Sequence, residues 1–181
     1  MRRLFMNLEE LRNDIAVKQK KGLPFIITSV IIWGLITVVC ALGLPVMTRN
    51  LLVFCCACPL LPLSWLTGKL LGIDIFSKEN PLGSLGFLFT MNQMLYLLIV
   101  MWVYSAVPDK MVMVHAMVFG AHLLPYSWLY KSKAYVIFSI AIPLIALFLG
   151  HMTGELILAA AITVLEIVFV ILLFRESKKA A

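Results

Sequence analysis

The sequence predicts an all-α fold, a polytopic transmembrane bundle of six helices with an amphipathic helix in front of it. Of 181 residues, 62% are hydrophobic and 13% charged, and the mean hydropathy is +1.02, far from the composition of a soluble domain. Several apolar stretches reach the roughly 20 residues that carry a helix across about 30 Å of hydrocarbon, without the alternation of a spanning barrel. The third observation is charge asymmetry. If the N-terminus is cytoplasmic, that face holds Arg2, Arg3, Arg12, Lys18, Lys20, Lys21, Lys69, Lys78, Lys131, Lys133, Arg175, Lys178 and Lys179, against Arg49 and Lys110 on the other. Such an excess marks cytoplasmic loops.

Residues 1–22 read as a cytoplasmic basic helix. Leu4, Leu8, Leu11 and Ile15 recur at helical spacing, Asn7 and Glu10 fit a capping box, and Lys18, Lys20 and Lys21 lead into the bilayer. We expect this helix to lie on the membrane surface, as an orientation signal or a docking surface for a partner. It is too long and too charged for a signal-peptide n-region, so the first span stays. Residues 23–176 then carry spans at 24–44, 51–71, 84–106, 111–130, 133–150 and 152–174, followed by a cytoplasmic tail at 177–181. The placement expected is a multi-pass cell-membrane protein with both termini cytoplasmic. The basic residues flank spans instead of forming one patch, so the net charge of +6 reflects topology and not nucleic-acid binding.

The first four spans read as an internal repeat. Leu60-Leu61-Pro62-Leu63-Ser64-Trp65-Leu66 and Leu123-Leu124-Pro125-Tyr126-Ser127-Trp128-Leu129 lie 63 positions apart, and the same offset places Pro45 on Pro108 and Trp33 on Tyr96. The copies are parallel, since an even number of spans separates them, and the last two spans complete a third hairpin. Pro59 and Pro62 should interrupt the second span, Pro125 the fourth and Pro143 the fifth, each removing a donor and freeing a carbonyl about one turn earlier. Ser64 and Ser127 are placed to satisfy such groups, and Trp65 and Trp128 to anchor at the interface. Paired broken helices also occur where transporters build a binding cavity.

Cys55, Cys56 and Cys58 cluster in the second span, with Cys40 in the first. They lack a matching Cys/His pair at zinc spacing and read as reduced core thiols, with no metal and no cofactor.

Ionisable residues inside a span are costly and tend to face a cavity or a partner. Glu166 and His122 fall about 12–14 Å from their cytoplasmic helix ends, and Asn92 and Gln93 at a similar depth. These four are the candidate binding or proton-coupling site, because a carboxyl and an imidazole held together can exchange a proton. The alternative is a hydrogen-bonded network that only fixes packing. His115 and Glu155, with His151, form a second, external tier. Three function classes follow: a small transporter with Glu166 and His122 in its cavity, a non-catalytic assembly, immunity or regulatory subunit that docks a partner, and an intramembrane lipid-acting enzyme. The last has no nucleophile-base pair, metal motif or phosphate loop to support it.

The basic stretch MNLEELRNDIAVKQKKG at Met6 to Gly22 running into a first span, the overall length and the Pro-x-Ser-Trp stretches resemble the small six-span bacterial membrane proteins of families of unknown function. That resemblance implies an integral membrane fold in a bacterial cell membrane, and it supplies no activity and no functional residues. The lipid bilayer is the expected partner, beside a second copy of the chain or a membrane partner protein; Gly68 to Gly72 offers a close-packing surface.

Overall fold

The computed structural model describes residues 6–180. A short helix, α1 (Leu8–Lys18), leads through a 3-10 turn (Lys20–Gly22) into α2 (Leu23–Ala41). The second span is broken into α3 (Val46–Ala57) and α4 (Leu60–Leu70), the third is α5 (Leu82–Ala106), and the fourth is broken into α6 (Met111–His122) and α7 (Leu124–Leu129). Two long helices close the chain, α8 (Lys133–Met152) and α9 (Glu155–Ala180). Six of the helical stretches are long and apolar enough to cross a membrane, and the described residues contain no strand. The last helix continues through Ser177, Lys178 and Lys179, which the sequence reading had placed in a tail.

Proline explains the breaks only in part. Pro59 stands at the junction of α3 and α4, while Pro62 lies inside α4, within its first turn, where a missing donor costs nothing. Pro125 likewise begins α7. Pro143, expected to interrupt the fifth span, sits inside an α8 that runs unbroken. The hydroxyl of Ser64 is buried with no partner, so it does not perform the satisfying role expected of it; nearby, Thr67 donates to Leu63 O at 2.8 Å and shares a 3.2 Å bond with Thr28. Ser127 engages through its backbone, its carbonyl accepting from Ser132 N at 3.0 Å. Trp65 and Trp128 are both exposed near the basic end of the bundle. Each has a cation on its face, Lys69 at 3.8 Å and Arg12 at 4.4 Å.

Packing arranges the spans as an incomplete ring. The second packs on α2, α2 on α9, α9 on α8, α8 on α6 and α7, and these on α5. The order around the ring is therefore second, first, sixth, fifth, fourth, third. The second and third spans flank a seam, drawn together away from the basic end by Phe54 and Tyr104, whose rings stand 6.2 Å apart. Large apolar side chains such as Leu95, Leu98, Phe148 and Ile157 cover the outer surface, as a lipid-facing surface requires. Cys55 and Cys58 belong to that exposed surface, contrary to the core role expected of them, and Cys40 and Cys56 are half-buried.

The first helix is docked on the bundle. The expected capping box is present, Asn7 and Glu10 exchanging 2.9 Å bonds. Ile15 and Ala16 are buried, and α1 packs against α5 and α9. Arg12 donates to Trp128 O through Nε at 2.9 Å and Nη2 at 2.5 Å, and Asn80 Nδ2 donates to Leu11 O at 2.8 Å and Asp14 Oδ2 at 2.9 Å. A helix C-terminus offers unpaired carbonyls and partial negative charge, and the end of α7 presents one of them, Trp128 O, to Arg12. The apolar positions of α1 are too few to compete; Leu8 stays exposed and Leu4 lies outside the described residues. Glu9 receives Lys131 Nζ at 2.7 Å and Arg12 Nη1 at 2.5 Å, and first Lys131, then Arg12, hold its carboxyl below the usual range. A depressed carboxylate contributes stability that is present above its unfolded value and lost as pH falls through the folded one. Proteolytic cleavage within residues 8–18 should therefore accelerate as pH falls below about 4.3, the ordinary value for Glu, and Glu9→Gln should remove that part of the pH dependence.

Candidate functional site

At the Lys20–Gly22 turn, three consecutive residues take left-handed backbone angles, Lys20 (φ 42°), Lys21 (φ 54°) and Gly22 (φ 73°). Glycine is needed at the third for space as well as conformation, because a Cβ there would stand 2.9 Å from both Tyr130 Cε2 and the Tyr135 hydroxyl. The same two tyrosines hold the turn. Tyr130 donates to Gln19 Oε1 at 2.7 Å and Tyr135 to Lys21 O at 3.0 Å. Together they form the floor of a cavity inside the ring of helices.

The cavity has a volume of about 70 Å³. Its polar wall consists of Ser29, Thr90, Gln93, His115, His122 and Tyr126, while Phe25, Trp33 and Phe119 supply apolar rings. Gln93 and His115 are each only 5% exposed. Gln93 Oε1 and His115 Nδ1 have no hydrogen-bond partner in the protein, an arrangement that costs about 1–3 kcal/mol per group unless a ligand or water supplies the missing bond. His122 bonds through Nδ1 to Phe119 O. In the neutral ring this bond makes Nδ1 the donor and leaves Nε2 as an acceptor. Tyr126 and Thr90 share a 2.8 Å bond, and Tyr126 also donates to Gly86 O at 3.3 Å.

Glu166 stands behind this wall. It is fully buried, and its Oε2 bonds to the hydroxyl of Ser29, while Oε1 has no partner. Ser29 also bonds to Ile26 O at 2.7 Å. One hydroxyl proton cannot serve two acceptors. The pair therefore accommodates either a carboxylic acid that donates to Ser29 while Ser29 donates to Ile26, or a carboxylate that accepts from Ser29.

The predicted four-residue site is thus only partly assembled. Gln93 and His122 share the cavity, and Glu166 reaches it through Ser29. His122 instead engages Phe119 and stands edge-on to Tyr126, its ring centroid 6.0 Å away, with no bond to Glu166. Asn92 is exposed on the outer surface of α5. One residue along a helix turns the side chain by about 100°, so Asn92 and Gln93 cannot face inward together. The external tier also divides. His115 belongs to the central cavity, edge-on to Trp33 with ring centroids 5.4 Å apart. Glu155 pairs with Arg49 at 2.5 Å in a separate cavity of about 390 Å³ at the end remote from the basic face, where Asp109, Lys110 and Thr153 also line the wall. His151 is exposed.

Sequence reasoning overlooked Ser29, the residue that connects Glu166 to the cavity, and the tyrosines of the floor. Ser29 carried only a weak signal, as one of three hydroxyl residues in the first span beside Thr28 and Thr37. The Arg49–Glu155 pair was also legible, since these are two of the few charges assigned to the remote face.

A six-helix apolar bundle with an internal polar-walled cavity defines a multi-pass membrane protein. The chain belongs to the family of unknown function DUF7010, whose profile matches residues 8–176. No curated protein and no solved structure matches it.

Proposed function

We propose that the chain is a small membrane carrier that binds a solute in its central cavity at mid-bilayer depth, with Glu166 and Ser29 as the proton-holding pair. The observation that carries this reading is the pairing of two buried, unpartnered polar atoms, Gln93 Oε1 and His115 Nδ1, on the wall of one cavity. Two such atoms facing one cavity are free to bond a polar guest there. The asymmetry of Lys and Arg supports a cytoplasmic side for both termini; the Tyr130–Tyr135 floor then faces the cytoplasm and the Arg49–Glu155 cavity the outside. In this orientation the two cavities lie in series. The docking-subunit reading draws on the small size of the chain and its amphipathic N-terminal helix, and Arg12, Glu9 and Ile15 of that helix are engaged on the bundle.

Reconstitution into liposomes with an imposed pH gradient and an internal pH-sensitive dye tests the proposal. Proton movement should exceed that of protein-free liposomes and fall at least tenfold in Glu166→Gln, which keeps the size and hydrogen-bonding capacity of the side chain while removing its exchangeable acid. Unchanged flux, or none with either protein, would sink the carrier reading.

A further inference from the structure

The second cavity lies where the ends of α2, α3, α6, α8 and α9 remote from the basic face meet, and its chemistry differs from that of the central one. Its volume of about 390 Å³ falls within the roughly 300–1,000 Å³ of small-molecule sites and is more than twice the roughly 150 Å³ that admits benzene. Four charged side chains line it, Arg49 and Lys110 against Asp109 and Glu155. Their charges cancel. A ligand with a single charge meets attraction from one pair and repulsion from the other, whereas a ligand that carries both signs can use all four.

The centre of the set is the ion pair between α3 and α9. Arg49 Nη2 lies 2.5 Å from Glu155 Oε2, yet Arg49 Nε and both Glu155 oxygens are buried without a hydrogen bond inside the protein. An ion pair withdrawn from water is stable only when its remaining donors and acceptors are satisfied. What is missing is specific: the carboxylate needs N–H or O–H donors, and the guanidinium needs an acceptor. A primary ammonium beside Glu155 and a carboxylate beside Arg49 supply both. Lys110 spends one donor on Gly150 O at 2.8 Å, which leaves its ammonium further donors, and Asp109 is the exposed member of the set. Because the two protein charges touch, the ligand charges that match them must also be neighbours, as they are across the single α-carbon of an amino acid. Met113, Leu156 and Leu158 make part of the wall apolar, so an aliphatic side chain placed there is shielded from water.

We propose that the cavity around Arg49 and Glu155 binds a zwitterionic α-amino acid with an aliphatic side chain, its ammonium held by Glu155 and its carboxylate by Arg49. The ligand lies antiparallel to the ion pair and completes the hydrogen bonds that the pair lacks. This site goes beyond the carrier reading and does not depend on it. Such a ligand exceeds the central cavity of about 70 Å³, which is less than half the roughly 150 Å³ that admits benzene.

The test is equilibrium binding of radiolabelled L-leucine to the whole protein in lipid nanodiscs, with empty nanodiscs subtracted to remove partitioning into lipid. Three further labelled compounds are compared: 3-methylbutylamine, which lacks the carboxylate; 4-methylpentanoate, which lacks the ammonium; and 6-aminohexanoate, an isomer of leucine with its two charges at opposite ends. Saturable binding of leucine is expected, with each comparison compound at least tenfold weaker. Glu155→Gln should weaken leucine at least tenfold. It should also shift the relative affinity of the two singly charged compounds at least tenfold toward 4-methylpentanoate, because Arg49 and Lys110 are then in excess over Asp109. A side chain that only held helices together would not change which sign of charge is preferred. Asp109→Asn removes a charge from an exposed position, where substitutions cost little stability, and should shift the same ratio at least threefold in the same direction. It decides the location of the site if Glu155→Gln, judged by elution profile and helical circular dichroism, does not fold. Absence of saturable leucine binding, which would leave the cavity to water, a comparison compound as tight as leucine, or an unmoved ratio in a folded variant would each overturn the proposal. Leucine binding without proton flux would remove the carrier reading and leave this one standing, whereas flux that depends on Glu166 without leucine binding would do the reverse.

Discussion

Glu176→Ala is expected to destabilise the bundle by roughly 2–4 kcal/mol, the range for breaking a partly buried ion pair and leaving a charge uncompensated, discounted for the partial exposure of the carboxylate. Glu176 accepts three hydrogen bonds at the basic end: from Lys21 Nζ at 3.2 Å, Ser132 Oγ at 2.6 Å and Ala134 N at 3.0 Å. It thereby ties α9 to the first turn of α8 and to the left-handed turn that floors the cavity. Lys21 is only 7% exposed, and without Glu176 its ammonium keeps the 3.3 Å contact with Lys131 O, which does not neutralise it. The first turn of α8 also loses an acceptor for one of its orphan donors. Denaturant unfolding in detergent micelles measures the effect; a change below about 0.5 kcal/mol would show that the triad contributes nothing. Glu176→Gln should fall between Ala and the parent protein. The double change Lys21→Met with Glu176→Leu should recover part of the loss, because it removes the unpaired charge together with its partner.

A comparable loss, about 2–3 kcal/mol and due to overpacking, is expected for Gly120→Val. A Cβ at Gly120 would lie 2.7 Å from Ile142 Cγ2 and 2.5 Å from Pro143 Cδ, and Ile142 is fully buried. The close approach of α6 and α8 uses the absence of that atom, as small residues do at helix contacts in membranes. Separating the helices would also disturb the cavity wall, since His115, Phe119 and His122 stand on α6. Gly154→Ala is the control. A Cβ there meets nothing within 4 Å, so the change should stay within about 0.5 kcal/mol. Equal losses at the two glycines would place the cost in backbone conformation and not in helix contact.

Several features were readable before any coordinates. The number and approximate limits of the apolar helices followed from hydropathy, the capping box from Asn7 and Glu10, and the interruption of the second and fourth spans from Pro59 and Pro125. These are local properties, decided within a turn or two of chain. That Glu166 would be sheltered inside the protein was also legible, because an acid in an apolar span is costly wherever the helix stands. Its partner was not. Ser29 and Glu166 are brought together by the packing of α2 against α9, a contact between chain segments far apart in sequence.

The division between Asn92 and Gln93 shows the limit most clearly. Both lie at the depth of Glu166 on a helix that is apolar all round, and such a helix carries no stripe to tell which side faces the protein. Only contact with α6 and α7 turns Gln93 inward and leaves Asn92 outward. His115 was likewise assigned to the remote end by depth, whereas helix rotation placed it against Trp33. The course of α1 shows the same limit, since the attraction of Arg12 to the end of α7 depends on where that end lies in space. By itself the sequence determined that six apolar helices form and that the second and fourth are interrupted near Pro59 and Pro125, because hydropathy and backbone chemistry act along the chain. Tertiary structure alone decided the order of the helices around the ring, the seam between the second and third, and which polar atoms share a cavity, because in lipid these depend on shape and hydrogen bonding between helices and not on a hydrophobic pattern that the chain could carry.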